Sequence, residues 1–168
     1  VLSLPDASQA LGRHPALLAD GVLDLPIRLR LPQAASARAA LPLARTVLMD
    51  ALEQPLITQG ALGRALGLPA RGNRPPLSGV FFNLNPRVDL SGFAPLSAQM
   101  REGRKPSLLG ALIFNFYDEG ARIALDLHHS VEFFSAARIT AIADALDSAL
   151  HEMAGLARPA SRPAIDVT

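Results

Sequence analysis

The string Asp126-Leu127-His128-His129-Ser130-Val131-Glu132 sets two imidazoles beside two carboxylates, the groups from which a general base or a metal site is made. Neighbouring residues of a strand point to opposite faces of a sheet. His128 and His129 therefore cannot both ligate one ion from a regular strand, and the pair is expected at a strand-to-loop exit in a structural role. Gly60, Gly63 and Gly67 lack both the Gly-Lys-Ser/Thr ending and the preceding strand of a phosphate loop, so close helix packing explains them better. Arg101, Arg104 and Lys105 make a basic turn around Gly103, the pattern of a solvated surface or of a contact with phosphate or an acidic helix. Asn83 and Asn85 close an apolar run, where carboxamides either satisfy loop backbone groups or hydrogen-bond a ligand. No catalytic residue and no metal ligand is assigned from these strings.

The elements that hold these residues come from a chain of 168 residues, 49% of them hydrophobic. One globular domain of that size buries roughly 70% of the surface its unfolded chain exposes. Lys and Arg total 16 against 15 Asp and Glu, so no strong field favours nucleic acid as a partner. The absence of cysteine excludes disulfides, thiolate zinc sites and a cysteine nucleophile, and fits a reducing, cytoplasmic compartment. There is no apolar run of the roughly 18 residues a membrane helix needs, and no basic-then-apolar leader at the start. Val1-Leu2-Ser3-Leu4-Pro5 reads instead as a strand entered from upstream, as in part of a longer polypeptide.

Val22 to Leu31 alternates apolar with polar from Asp24 on, the period of a strand with one buried face, and Pro26 argues for an edge or a bulge. Leu43, Val47, Leu48, Ala51 and Leu52 recur at helical spacing between Ala34 and Gln54, with Pro42 expected to kink or restart that helix. A short helix is predicted from Gln59 to Leu66, stopped by Gly67 and Pro69. Pro75, Pro76 and Pro86 bound the strand Val80-Phe81-Phe82-Asn83-Leu84-Asn85, and an irregular strand is expected near Phe93 to Met100. Leu108 to Tyr117 and Ala121 to Leu127 form a hairpin around Asp118-Glu119-Gly120. Ser135 caps a closing helix whose stripe is Ile139, Ile142, Ala143, Leu146, Ala149, Leu150 and Met153, with Gly155 ending it. Residues 1–156 are thus read as one folded unit and 157–168, rich in proline and small residues, as a linker-like tail. The fold class expected is α/β: a two-layer sandwich of a mixed, largely antiparallel sheet with helices.

The order of elements and several strings resemble the C-terminal lobe of the condensation domains of nonribosomal peptide synthetases, in the chloramphenicol acetyltransferase-like superfamily. Leu25-Pro26-Ile27-Arg28 is similar to that family's L-P-L-R. Arg74-Pro75-Pro76-Leu77 with Val80-Phe81-Phe82-Asn83 is similar to its R-x-P-L-F and the following strand. Phe133-Phe134-Ser135-Ala136-Ala137-Arg138-Ile139 is similar to its L-F-D-A-A-T-I. The resemblance spans essentially the whole chain. It implies one wall of a tunnel in which an acceptor amine attacks a donor thioester, both carried on phosphopantetheine arms, with no cofactor bound by the lobe itself.

The implied partners are the N-terminal lobe, peptidyl and acyl carrier proteins and an adjacent adenylation domain. Asn83, Asn85 and Arg28 are implied to face the tunnel, and Arg101, Arg104 and Lys105 to contact a carrier protein. The family's H-H-x-x-x-D-G string belongs to the other lobe and is absent from these residues, so this stretch is expected to be inactive alone. The alternative is a degenerate condensation-like module that recruits a carrier protein or tailoring enzyme without catalysis, since Gln54-Pro55-Leu56-Ile57-Thr58-Gln59-Gly60 departs from the family's H-Q-D-x-P-F-E.

Overall fold

The computed structural model describes residues 1–6, 22–32, 35–54, 57–69, 77–87, 89–99 and 110–156. The elements are β1 (Leu2–Asp6), β2 (Leu23–Ile27), α1 (Ala37–Glu53), α2 (Gln59–Ala65), β3 (Val80–Asn85), a 3-10 turn (Ser91–Phe93), β4 (Leu112–Asp118), β5 (Ile123–His129) and α3 (Ala136–Ala154). They build one five-stranded sheet in the order β2-β1-β3-β4-β5. β1 pairs antiparallel with β2 and β4 with β5, while β3 is parallel to both β1 and β4. The mixed sheet and helical layer expected from the sequence are what form.

Local chemistry explains each boundary. Pro26 lies on β2, an edge strand, where a missing N–H leaves no gap in the ladder. Asp118 accepts from the N–H of Gly120 at 2.7 Å, and Gly120 takes φ +85°, which closes the β4–β5 turn without side-chain strain. Ser78 pins the start of β3: its hydroxyl donates to the Val1 carbonyl at 2.9 Å and accepts from the Val80 N–H at 3.1 Å. Ser36 and Ser135 cap α1 and α3, accepting from Ala39 N–H at 3.1 Å and Arg138 N–H at 3.3 Å. Gly155, at φ +68°, ends α3 in the left-handed conformation.

Three expectations are corrected. α1 does not restart at Pro42 but runs on through it, because a proline removes one backbone hydrogen bond while the remaining turns persist, and Thr46 Oγ1 donates to the Pro42 carbonyl at 3.1 Å. No strand forms over residues 93–99. Asp89 instead accepts from both the backbone N–H and the hydroxyl of Ser91, each at 2.9 Å, which draws the chain into a turn. The strand predicted over Val22 to Leu31 is shorter, ending at Ile27. Met100, the basic turn at 101–105 and the tail at 157–168 lie outside the described residues.

The core forms where the apolar sheet face and the helix stripe have matching surface. Leu25, Ile27, Leu112 and Phe116 share one face of the sheet by register and are buried, as are Ile139 and Ala143 on α3. Phe82 and Phe116 stack with ring centroids 4.9 Å apart. α1 packs against α3 and β2, but it contributes no fully buried side chain.

Candidate functional site

The opposite face of the sheet carries most of the polar strand residues, beside the buried Phe81 and its neighbour Ile113. Asn83 on β3 lies beside Asn115 on β4, and Asn115 beside Asp126 on β5, so one transverse row carries two carboxamides and a carboxylate. The row next to it is Phe81, Ile113 and His128. Ser3 pairs with Phe81, and Asp24 pairs with Pro5, two residues further along β1. The period of two therefore puts Ser3, Asp24, Asn83, Asn85, Asn115, Asp126 and His128 on one face.

These groups are bonded to one another. Asn83 Nδ2 donates to Asn85 Oδ1 at 3.1 Å and, more weakly, to Asn115 Oδ1 at 3.5 Å. Asn85 Nδ2 donates to the Phe116 carbonyl at 3.1 Å. His128 Nε2 lies 2.7 Å from Asp126 Oδ2. Gln59 Nε2 donates to Ser3 Oγ at 2.6 Å, a buried pair that ties α2 to β1. Such mutual bonding uses the amide donors of Asn83 and Asn85 and leaves Asn83 Oδ1 and Asp126 Oδ1 as acceptors, an arrangement suited to a ligand that offers N–H groups.

Burial pushes the Asp24 carboxyl above its ordinary pKa, because removing the charged form from water disfavours it. The folded state thus holds that proton more tightly than the unfolded chain. Stability contributed by this group is greatest below the ordinary carboxylate pKa and falls as pH rises through the raised one. Asp24→Asn is expected to raise the urea midpoint at neutral pH and to give no gain at pH low enough to protonate both states. An equal gain at both pH values would show that the carboxyl's ionisation is not the cause.

The sequence-predicted residues separate clearly. Asn83 and Asn85 sit on the polar face and bond to each other. Arg28 does not join them: it is exposed just past the end of β2, two strands away from β3 and beside the opposite end of the sheet. Arg101, Arg104 and Lys105 fall outside the described residues. The histidines are split as the strand geometry requires, with His128 on the polar face and His129 on the apolar one, where its Nδ1 is buried without a hydrogen-bond partner. Among the described residues no group of three or more His, Cys, Asp or Glu is placed to hold a metal ion, and no helix is long and apolar enough to cross a membrane. Sequence reading missed Asn115, Asp24 and Ser3 as members of this face. The signal was present: Phe114-Asn115-Phe116 and Phe82-Asn83-Leu84 each set one carboxamide between apolar neighbours, and parallel pairing puts the two side by side.

No family model matches the chain, and no curated protein matches it. Among solved structures, the crystal structure of the starter condensation domain of rhizomide synthetase RzmA is similar to it, with a TM-score of 0.61 and 20% sequence identity. The match covers 100% of this chain and 39% of that one. The chain accordingly has the fold of part of a condensation domain and spans well under half of that protein's length.

Proposed function

We propose that the chain is the C-terminal half of a condensation domain of a nonribosomal peptide synthetase, forming one side of the tunnel in which carrier-bound acyl and aminoacyl thioesters are joined. The observation that carries this reading is the overlay of all of the chain on 39% of a starter condensation domain. In the reaction the acceptor amine attacks the thioester carbonyl, the C–N bond forms, the C–S bond breaks, and the thiol leaves as the amine gives up a proton. The polar face supports a tunnel wall because its open acceptors suit the amide N–H groups of a phosphopantetheine arm. Phe93, Leu96 and Leu84, exposed by 56%, 75% and 56%, support a covering partner such as the preceding lobe.

On this reading Asn83 and Asn85 line the tunnel, while Arg28 serves a place at the other end of the sheet and Arg101, Arg104 and Lys105 meet a carrier protein. An adenylation domain would follow the tail, and the whole would work in the cytoplasm. The departure of Gln54-Pro55-Leu56-Ile57-Thr58-Gln59-Gly60 from the family's H-Q-D-x-P-F-E favours one second reading, a module that keeps the fold and recruits a carrier protein or tailoring enzyme without chemistry. The two readings part in the intact parent domain. Asn83→Ala is expected to lower kcat/KM about tenfold through one lost substrate hydrogen bond. His128→Ala, which breaks only its bond to Asp126, should leave the rate within about twofold, its cost appearing as about 1 kcal/mol of stability. An unchanged rate for Asn83→Ala removes that residue from the tunnel, and a parent domain with no rate at all supports recruitment.

A further inference from the structure

The outer edge of β5 is built to accept a strand. The β4–β5 ladder is bracketed by Ser130 N–H donating to the Ala111 carbonyl and Glu119 N–H donating to the Arg122 carbonyl, both at 3.0 Å. The register runs from Leu112 opposite His129 to Asp118 opposite Ile123. Antiparallel ladders alternate hydrogen-bonded and non-hydrogen-bonded pairs. The backbone groups of Ala124, Asp126 and His128 therefore turn inward to β4, and those of Ile123, Leu125, Leu127 and His129 turn outward. Among the described residues no strand lies beyond β5.

Edges of this kind are usually blunted by proline, charged side chains or a bulge. β2, the other edge among the described residues, carries Pro26, whereas β5 carries no proline or lysine, its carboxylate Asp126 is paired with His128, and its Ile123 and Leu125 side chains are 65% and 36% exposed. We propose that this edge pairs with β5 of a second copy of the chain, antiparallel about a two-fold axis at Leu127. Charge complementarity selects both the occupant and the register. Of the two-fold registers that keep most of β5 paired, one centred on Asp126 sets two carboxylates directly opposite each other, which is unfavourable. One centred on Leu125 sets Asp126 against a methyl group, Ala124 of the partner subunit. One centred on Leu127 sets Asp126 against His128 of the partner subunit, and the symmetry makes that contact twice. Because Asp126 and His128 already pair within each copy, the four side chains close into a ring of alternating carboxylate and imidazole. On the opposite face Leu127 meets Leu127 of the partner subunit. This pairing does not rest on the proposed tunnel, although Asp126 on β5 belongs to the same polar face.

The natural absence of cysteine makes the register directly testable. In sedimentation velocity the chain should show a reversible monomer–dimer equilibrium. Under mild oxidation Leu127→Cys should trap the dimer as a disulfide, Leu125→Cys alone should not, and a mixture of Leu125→Cys with His129→Cys should cross-link as a heterodimer. His128→Asp should weaken the dimer about tenfold, and the double change Asp126→His with His128→Asp should restore it. A strict monomer up to millimolar concentration overturns the proposal. So does cross-linking of Leu125→Cys as readily as Leu127→Cys, or a His128→Asp dimer as tight as the parent's. Should Leu127→Cys fail to fold, the Leu125→Cys and His129→Cys mixture decides the register by itself.

Discussion

Replacing Ile139 by alanine is expected to lower the unfolding free energy by about 2–5 kcal/mol, the cost of removing buried methyl and methylene groups and leaving a cavity. Ile139 is 1% exposed, the most completely buried large apolar side chain among the described residues, and Ala143 one turn further on is also buried. It sits where the first turn of α3, fixed in place by the Ser135 cap, brings the apolar stripe of the helix into the core. Ile139→Val should cost only about 0.5–1.5 kcal/mol, and Val131→Ala, at a residue 84% exposed, should stay within about 0.5 kcal/mol of the parent. Urea unfolding with an unchanged m-value provides the reading. A loss below about 1 kcal/mol for Ile139→Ala would mean that α3 does not close the core as described.

The strongest periodicities were the most legible parts of the sequence. The β4–β5 hairpin, the Ser135 cap and the Gly155 stop follow from local rules and form, the hairpin strands at Leu112–Asp118 and Ile123–His129, while the α3 stripe is buried only at Ile139 and Ala143 and leaves Leu150 exposed. Pro26 argues for an edge or a bulge, and among the described residues β2 is an edge. The strand expected near Phe93 to Met100 does not form over residues 93–99, because the Asp89–Ser91 contact starts a turn that the β propensity of Phe93 and Leu96 does not reveal. The polar face was only half visible. Asn83 and Asn85 stand out as strand-end residues, but their juxtaposition with Asn115 and Asp126 depends on which strands are neighbours and in what register, and no local pattern states that. The same limit applies to Arg28. It matches a short family string, yet strand order alone determines that it lies at the far end of the sheet from the asparagines.

The second large effect concerns chemistry. On the proposed reading the chain is one tunnel wall, which without its opposite wall would not hold two thioester-linked reactants at reacting distance, and that positioning supplies about 7–11 kcal/mol in well-oriented systems. The residues present also offer no H-H-x-x-x-D-G string and no assigned base. The chain alone is therefore expected to form no amide, whereas the same residues joined to the preceding lobe should do so. The most direct test is mass spectrometry of carrier-loaded donor and acceptor incubated with the chain alone, with the intact parent domain, and without protein. The expected result is product from the intact domain only, with the chain alone indistinguishable from the protein-free control. Amide product from the chain alone, or none from an intact parent domain whose H-H-x-x-x-D-G string is complete, would contradict the assignment of this chain as one wall of a condensation tunnel.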